Sequence, residues 1–426
     1  MRLTIHKVFF YLLLMFLPTQ LGLHFWPSWA LVLGRRVDYL SPTLFLTDLL
    51  ISLLLISWLV TVISRIKHVV MLHKKYVVLI FCFAILNIVF AAGKLVAFWT
   101  WIKFFEFVLL GVYIVSTKPN FGRVVLSLSI GVLYSSLLAV SQFILQHSIG
   151  GPLWLLGERS FSAASPGIAQ ISLCLPGAVN CPLLLRPYAT FSHPNVLGGF
   201  LAVTIPIILY QFTVLSIAKQ RKLKFYYGLT LVLGAFALLF SFSRSAWFVG
   251  VLGSAFLYFE EKRRPQTFRW LLDNSTIILF LGIVLVTIML FVPLPFFGNG
   301  ESIVVRRDLA ISAIRIWQHA PLMGVGLGNF LPTLPYFLPS RTIYFLQPAH
   351  NIYLLLLSET GIVGMGVFGF IIWSIIRNET KNGRISRYIY RASLVALLLL
   401  GLVDHYALTL QQGRLLLTIL ASLALV

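Results

Sequence analysis

Apolar stretches of roughly 17 to 25 residues recur along the whole chain, the length that crosses about 30 Å of hydrocarbon at 1.5 Å per residue. The stretches are continuous rather than alternating, so they predict helices and not barrel strands. About twelve spans result: 8–26, 44–64, 76–93, 96–116, 124–147, 195–216, 225–242, 244–260, 273–294, 350–376, 390–404 and 406–426. The expected fold is all-α, a polytopic membrane bundle. Its units are helices one to five in 1–148, a loop in 149–194, helices six to nine in 195–294, a larger loop in 295–349 and helices ten to twelve in 350–426.

Basic residues orient the bundle. Arg2 and Lys7, Lys74 and Lys75, Lys118 and Arg123, Arg221 and Lys222, Arg263 and Arg264, and Arg384 and Arg387 recur at alternate span ends, which makes those ends cytoplasmic. Both termini are then cytoplasmic, and the two long loops are extracytoplasmic. Long loops usually carry function.

Composition agrees with this pattern: 59% hydrophobic residues, 11% charged and a mean hydropathy of +0.93 exclude a soluble domain of this size. The net charge of +21 belongs to topology and anionic lipid, so no nucleic-acid partner is expected. The N-terminal stretch resembles a signal peptide, but no small-residue cleavage site follows and it is read as the first span.

The outer loops and span mouths carry Arg159, Arg186, Arg244, Arg306, Arg307, Arg315 and Arg341 against Glu158, Glu301, Asp308 and Asp404. This excess opposes the positive-inside tendency. A polyanion held at the membrane surface accounts for it, because guanidinium groups grip phosphate bidentately; snorkelling to headgroups is the other reading for any single one. Arg244, between two spans with almost no loop, is held near membrane level.

His350 enters a span within Gln347-Pro-Ala-His-Asn-Ile-Tyr353. A helix N-terminus disfavours a protonated ring there, as suits a proton acceptor, although an interfacial capping histidine would fit as well. His193 with Asn195 enters a span in the same way and also reads as a turn and N-cap. Asp404 and His405, at the mouth of the last span, are further candidates. Glu359 and Arg414 fall about 13 Å below the outer surface on their spans and are expected to form an ion pair. Cys174 and Cys181 flank a turn, either as a disulfide or as small apolar residues; Cys82, inside a span, reads as packing.

No Asp-x-Asp pair, His-x-x-x-His or cysteine cluster suggests a metal site, and no cofactor is expected. Gly324-Val-Gly-Leu-Gly328 follows no strand and reads as a tight turn after a short loop helix over about 303–319.

Taken in order, several segments resemble the O-antigen ligase and polymerase superfamily of bacterial envelope proteins. They are Arg186-Pro-Tyr-Ala-Thr-Phe-Ser-His-Pro-Asn-Val-Leu-Gly198, Ser243-Arg-Ser245, Arg306 with Trp317 to Phe330, and Ala349-His-Asn-Ile-Tyr353 with Ser358 to Gly364. The resemblance implies a metal-independent inverting glycosyltransferase of the cytoplasmic membrane with an extracytoplasmic site. Its donor would be a glycan on undecaprenyl diphosphate, and its acceptor a hydroxyl of a glycan, lipid or protein. It implies that Arg244 and one of Arg306 and Arg307 contact the diphosphate and that His350 deprotonates the acceptor. Where one arginine is usual this chain has two, and the tail Asp404 to Arg414 has no family role. The rival reading, a transporter or flippase of lipid-linked or anionic solutes, predicts internal repeats and paired broken helices. The sequence displays neither.

Overall fold

The computed structural model describes residues 4–72, 74–172, 182–215, 217–262, 300–339, 346–377 and 385–426. The expected span 273–294, Arg341, Cys174 and Cys181 lie outside these residues. The helices are α1 (Ile5–Met15), α2 (Leu46–Leu72), α3 (Lys74–Val89), α4 (Lys94–Thr117), α5 (Phe121–Leu145), α6 (Pro194–Val214), α7 (Ile217–Phe240), α8 (Arg244–Lys262), α9 (Gly300–His319), α10 (Phe330–Thr333), α11 (Ile352–Arg377), α12 (Ile385–Leu400), α13 (Tyr406–Thr409) and α14 (Gln411–Leu423). Among the described residues five helices are long and apolar enough to cross a membrane: α4, α5, α6, the Gln220–Phe240 part of α7, and α11.

Local chemistry sets where several of these helices begin. His193 caps α6 by accepting the Asn195 N–H at 3.1 Å, with Pro194 in the first turn. Asn351 accepts the N–H groups of Tyr353 and Leu354 at 2.9 and 3.0 Å and so starts α11. The expected span thus begins two residues later than the hydropathy suggests, and His350 lies just before the helix.

Helix ends depart further from the hydropathy pattern. α1 stops at Met15, and Pro18 cannot extend it; the chain then runs through β1 (Gly22–His24), β2 (Leu31–Val32), β3 (Arg35–Arg36) and β4 (Thr43–Phe45), with β1 paired to β4 and β2 to β3, both antiparallel. The expected span 390–404 is displaced to α12 and the span 406–426 contracts to α14, the two joined by a turn, the short α13 and an extended Leu410. α11 is broken at Gly361, whose φ of 63° and ψ of −168° suit only glycine. Cys82 is exposed on α3 and does not pack inward.

α6 is the axis of the bundle and packs on α5, α7, α8 and α12, while α4 packs on α14 and α9 on α11. Gly199 lets α13 approach it, because a Cβ there would collide with the Tyr406 ring hydroxyl. In lipid, such close fits and polar contacts hold helices together, since apolar surface gains little by leaving the tails. A second core joins the connection before α2 to α9 and α10, through Val37, Leu40, Ile316 and Phe330.

The break in α11 is filled by the glycine loop. Val325 and Gly326 donate to the carbonyl oxygens of Ser358 and Glu359 at 3.0 Å each, and Ile362 donates to Pro321 at 2.9 Å. Asn87, buried on α3, donates to Met323 and Glu359 carbonyls at 2.8 and 3.1 Å and accepts from Trp101 and Leu327, each at 2.9 Å. Irregular backbone within a bundle thus finds partners in protein, as it must.

Candidate functional site

The connections at one end of the bundle converge on a cavity of about 560 Å³ lined by Tyr39, Gly167, Ser192, His193, Asn195, Val196, Val305, Arg306, Gln347, His350, Asp404, His405 and Leu410. Those residues come from five separate connections and helix ends. What fixes their relative positions is a set of buried polar side chains. Gln142 on α5 accepts the N–H groups of Tyr188 and Ala189 at 3.0 and 2.7 Å and donates to Glu158 at 2.8 Å. Glu158 in turn accepts from Ile149 and Gly150 at 2.8 and 2.9 Å. The loop that delivers His193 is therefore tied to α5 at both ends. Within it β5 (Gln170–Ser172) pairs antiparallel with β6 (Leu183–Leu185).

His350 lines the cavity, and its Nδ1 is buried without a hydrogen-bond partner. Burial, then the neighbouring His405 and Arg306, hold its pKa down at about 4 against the pull of Asp404. Its neutral state at pH 7 thus comes mainly from its surroundings. His193 and His405 are each held near 3, again chiefly by burial. The Asp404 carboxyl is raised by the same burial and lowered by His350.

The two adjacent arginines separate. Arg306 faces the cavity and reaches the Val403 carbonyl at 3.5 Å. Arg307 is exposed and lies 3.6 Å from Asp308. Arg244 opens α8 and is exposed. Arg186 lies close enough for Arg306 and Arg244 to depress its pKa, which burial lowers to about 10; it is charged at neutral pH.

Other expected members are placed elsewhere. Arg186 uses Nε and Nη2 on the Ser241 carbonyl and Asn195, so those donors brace the site and are not offered to a ligand. Arg315 is exposed nine residues beyond Arg306 on α9 and donates to Phe337 at 3.4 Å, away from the cavity. The direct Glu359–Arg414 ion pair does not form. Glu359 accepts the Phe330 N–H at 3.2 Å, and Arg414 donates to the Leu408 carbonyl at 2.5 Å. The reason is local: Leu410 is extended, so α14 starts only at Gln411 and Arg414 sits in its first turn.

Tyr39 and Gly167 also line the cavity and carry no motif by which sequence reasoning could find them, while Ser192 sits in the segment 186–198 but was given no role there. A buried charge group was missed as well. Lys103 lies 2.6 Å from both Asp48 and Glu106, and Gln411 donates to Asp48. Three charges inside expected spans were its visible signal. Among the described residues no group of three His, Cys, Asp or Glu side chains is arranged to hold a metal ion.

The helices define a multi-pass membrane protein with a cation-flanked histidine cavity at one end of the bundle. Residues 229–374 match the family model described as O-antigen ligase. The matched segment runs from α7 through α9 and the glycine loop to α11, so the resemblance covers about a third of the chain and includes Arg306 and His350. No curated protein compared with the chain matches it.

Proposed function

We propose that the protein moves a glycan from a polyprenyl-diphosphate carrier to an acceptor hydroxyl at the extracytoplasmic face of the cytoplasmic membrane, inverting the anomeric carbon without a metal. The observation that carries this reading is the meeting of a neutral His350 with Arg306 in one cavity. The family match supports the reaction class.

In this mechanism the acceptor hydroxyl gives its proton to His350. The oxygen attacks the anomeric carbon from the face opposite the carrier, and the bond to the diphosphate breaks with its electron pair. Arg306 and Arg244 hold the departing charge. Asp404 favours the imidazolium that forms. The transporter reading loses its best structural foothold, because backbone of the glycine loop occupies the break in α11.

The test is transfer from a lipid-diphosphate donor by wild type and His350→Ala, with and without EDTA, beside donor binding. Transfer is expected to fall by about 10²–10⁴ in the variant, with donor binding retained and no response to chelator. A fully active variant refutes the base, and loss in EDTA refutes the metal-free step. Reporter fusions at Lys222 and Gly157 are expected to read cytoplasm and exterior respectively; a reversed pair overturns the orientation.

A further inference from the structure

The segment from Asp404 to Arg414 carries none of the family resemblance, yet it forms one wall of the cavity. His405 sits between Tyr39 and His350, with ring centroids 5.5 and 5.0 Å away and interplanar angles of 82° and 78°. Its Nδ1 lies 2.7 Å from the Thr409 hydroxyl, which donates to the His405 carbonyl oxygen at 3.1 Å. A hydroxyl has one proton to donate. With the hydroxyl proton on the carbonyl, as both contacts together require, His405 Nδ1 is the donor to Thr409 and Nε2 is the bare nitrogen of the neutral ring.

The segment is anchored on both sides of this lock. Asp404 accepts the His405 backbone N–H at 2.8 Å. Gln411 donates to Thr47 at 3.1 Å, and Gln412 donates to the carbonyl oxygens of Pro18 and Thr190 at 3.1 and 3.4 Å. The placement of His405 is thus set from the α1–α2 connection, from α2 and from the loop that delivers His193.

The geometry points to His405 as the positioning residue of His350: a neutral imidazole, locked in one tautomer by Thr409, that stacks edge to face on the base and leaves the acceptor's proton to it. This inference rests on the transferase reading and deepens it. Two imidazolium rings 5.0 Å apart beside Arg306 would repel one another, so the pair holds at most one proton. The ionisable groups facing His350 are Tyr39 before α2, His193 before α6, Arg306 on α9, and Asp404 with His405 after α12. Of these only Asp404 can supply a negative charge near neutral pH, and it acts on His350. His405 is held near 3 and His350 near 4, so the proton taken from the acceptor rests on His350.

The experiment uses full-length protein in nanodiscs, as wild type, His405→Phe and Thr409→Val. Phenylalanine keeps the ring bulk and removes the titratable partner; valine keeps the shape of Thr409 and removes the lock. One readout is the pH dependence of transfer, with donor affinity measured separately. The other is acylation of His350 by diethyl pyrocarbonate, followed across pH by peptide mass mapping, which requires no activity. In His405→Phe the acid limb of both profiles is expected to move to higher pH, because the one proton that the pair can hold then has only His350 to rest on. Turnover is expected to fall about tenfold with donor affinity within about twofold, and Thr409→Val is expected to act in the same direction and less. Unchanged acid limbs, or a loss of donor affinity equal to the loss of turnover, overturn the inference. Should His405→Phe fail to fold, Thr409→Val decides by the same readouts. If wild type transfers nothing from a lipid-diphosphate donor, the transferase reading fails while the acylation profiles still decide the pairing.

Discussion

Arg186 closes a fork on the carbonyl oxygen of Ser241, with Nε at 2.9 Å and Nη2 at 2.6 Å, and the same Nη2 reaches Asn195 at 2.7 Å. This fork fixes the turn from which α8 and Arg244 emerge. Lysine supplies the charge without the fork. Arg186→Lys is expected to lower stability by about 1.5–3 kcal/mol, the range for hydrogen bonds to charged groups, and to weaken donor binding. Thermal unfolding in detergent checks the first part and donor titration the second; a midpoint equal to wild type would remove the bracing role.

Arg306 and Arg307 are expected to differ sharply. Arg306 lines the cavity, whereas Arg307 is 69% exposed beside Asp308. Arg306→Ala is expected to reduce both donor affinity and turnover, because a cation lost from a diphosphate weakens the ground state and the leaving group together. Arg307→Ala is expected to behave within about 0.5 kcal/mol of wild type, as surface substitutions usually do. Equal losses in the two variants would refute the separation.

Acid is expected to destabilise the fold before it protonates the base. His193, His350 and His405 are held near 3, 4 and 3, while an unfolded histidine titrates near 6.5. Above that value both states are neutral and the contribution to stability is fully present. As pH falls from about 6.5 towards 4, the unfolded chain binds protons that the fold refuses, so stability drops, on the order of 1–2 kcal/mol per histidine at pH 5. Unfolding midpoints across pH 5 to 8 measure this, and His405→Phe is expected to flatten the slope. A midpoint that rises on acidification would contradict the neutral histidines.

Lys103 is the counter-charge of buried Asp48 and half-buried Glu106, 2.6 Å from each. Lys103→Met leaves Asp48 and Glu106 facing one another and is expected to cost about 3–5 kcal/mol. Adding Asp48→Asn and Glu106→Gln is expected to restore part of it. A single variant as stable as wild type would mean that the cluster contributes nothing to the bundle.

The start of α6 was legible in the sequence because its cap is local: His193 and Pro194 announce it by side chains in its first turn. Helix ends were less so. The apolar run past Met15 continues through Phe16 and Leu17, but Leu17 buries against protein and not lipid, and hydropathy cannot tell the two apart. The site itself was half legible. Arg306 stood out as a charge in the long outer loop, and His350, Asp404 and His405 as titratable groups at span mouths. Their meeting with Tyr39, and the turning away of Arg307 and Arg315, depend on which connections touch, and no local pattern encodes that.

The glycine loop seated in the break of α11 also bears on biosynthesis. Asn87 precedes Met323, whose carbonyl it holds, by 236 residues, and it enters the bilayer long before that partner is translated. Through that interval its amide must rely on transient partners, because a polar group in hydrocarbon is costly. The amino-terminal helices therefore cannot reach their final arrangement until the ribosome has passed Gly361 and the loop can dock. Maturation of this chain would then be a late event, with the early spans held open, and substitutions at Asn87 would be felt first as degradation of newly made protein before any change in the finished molecule.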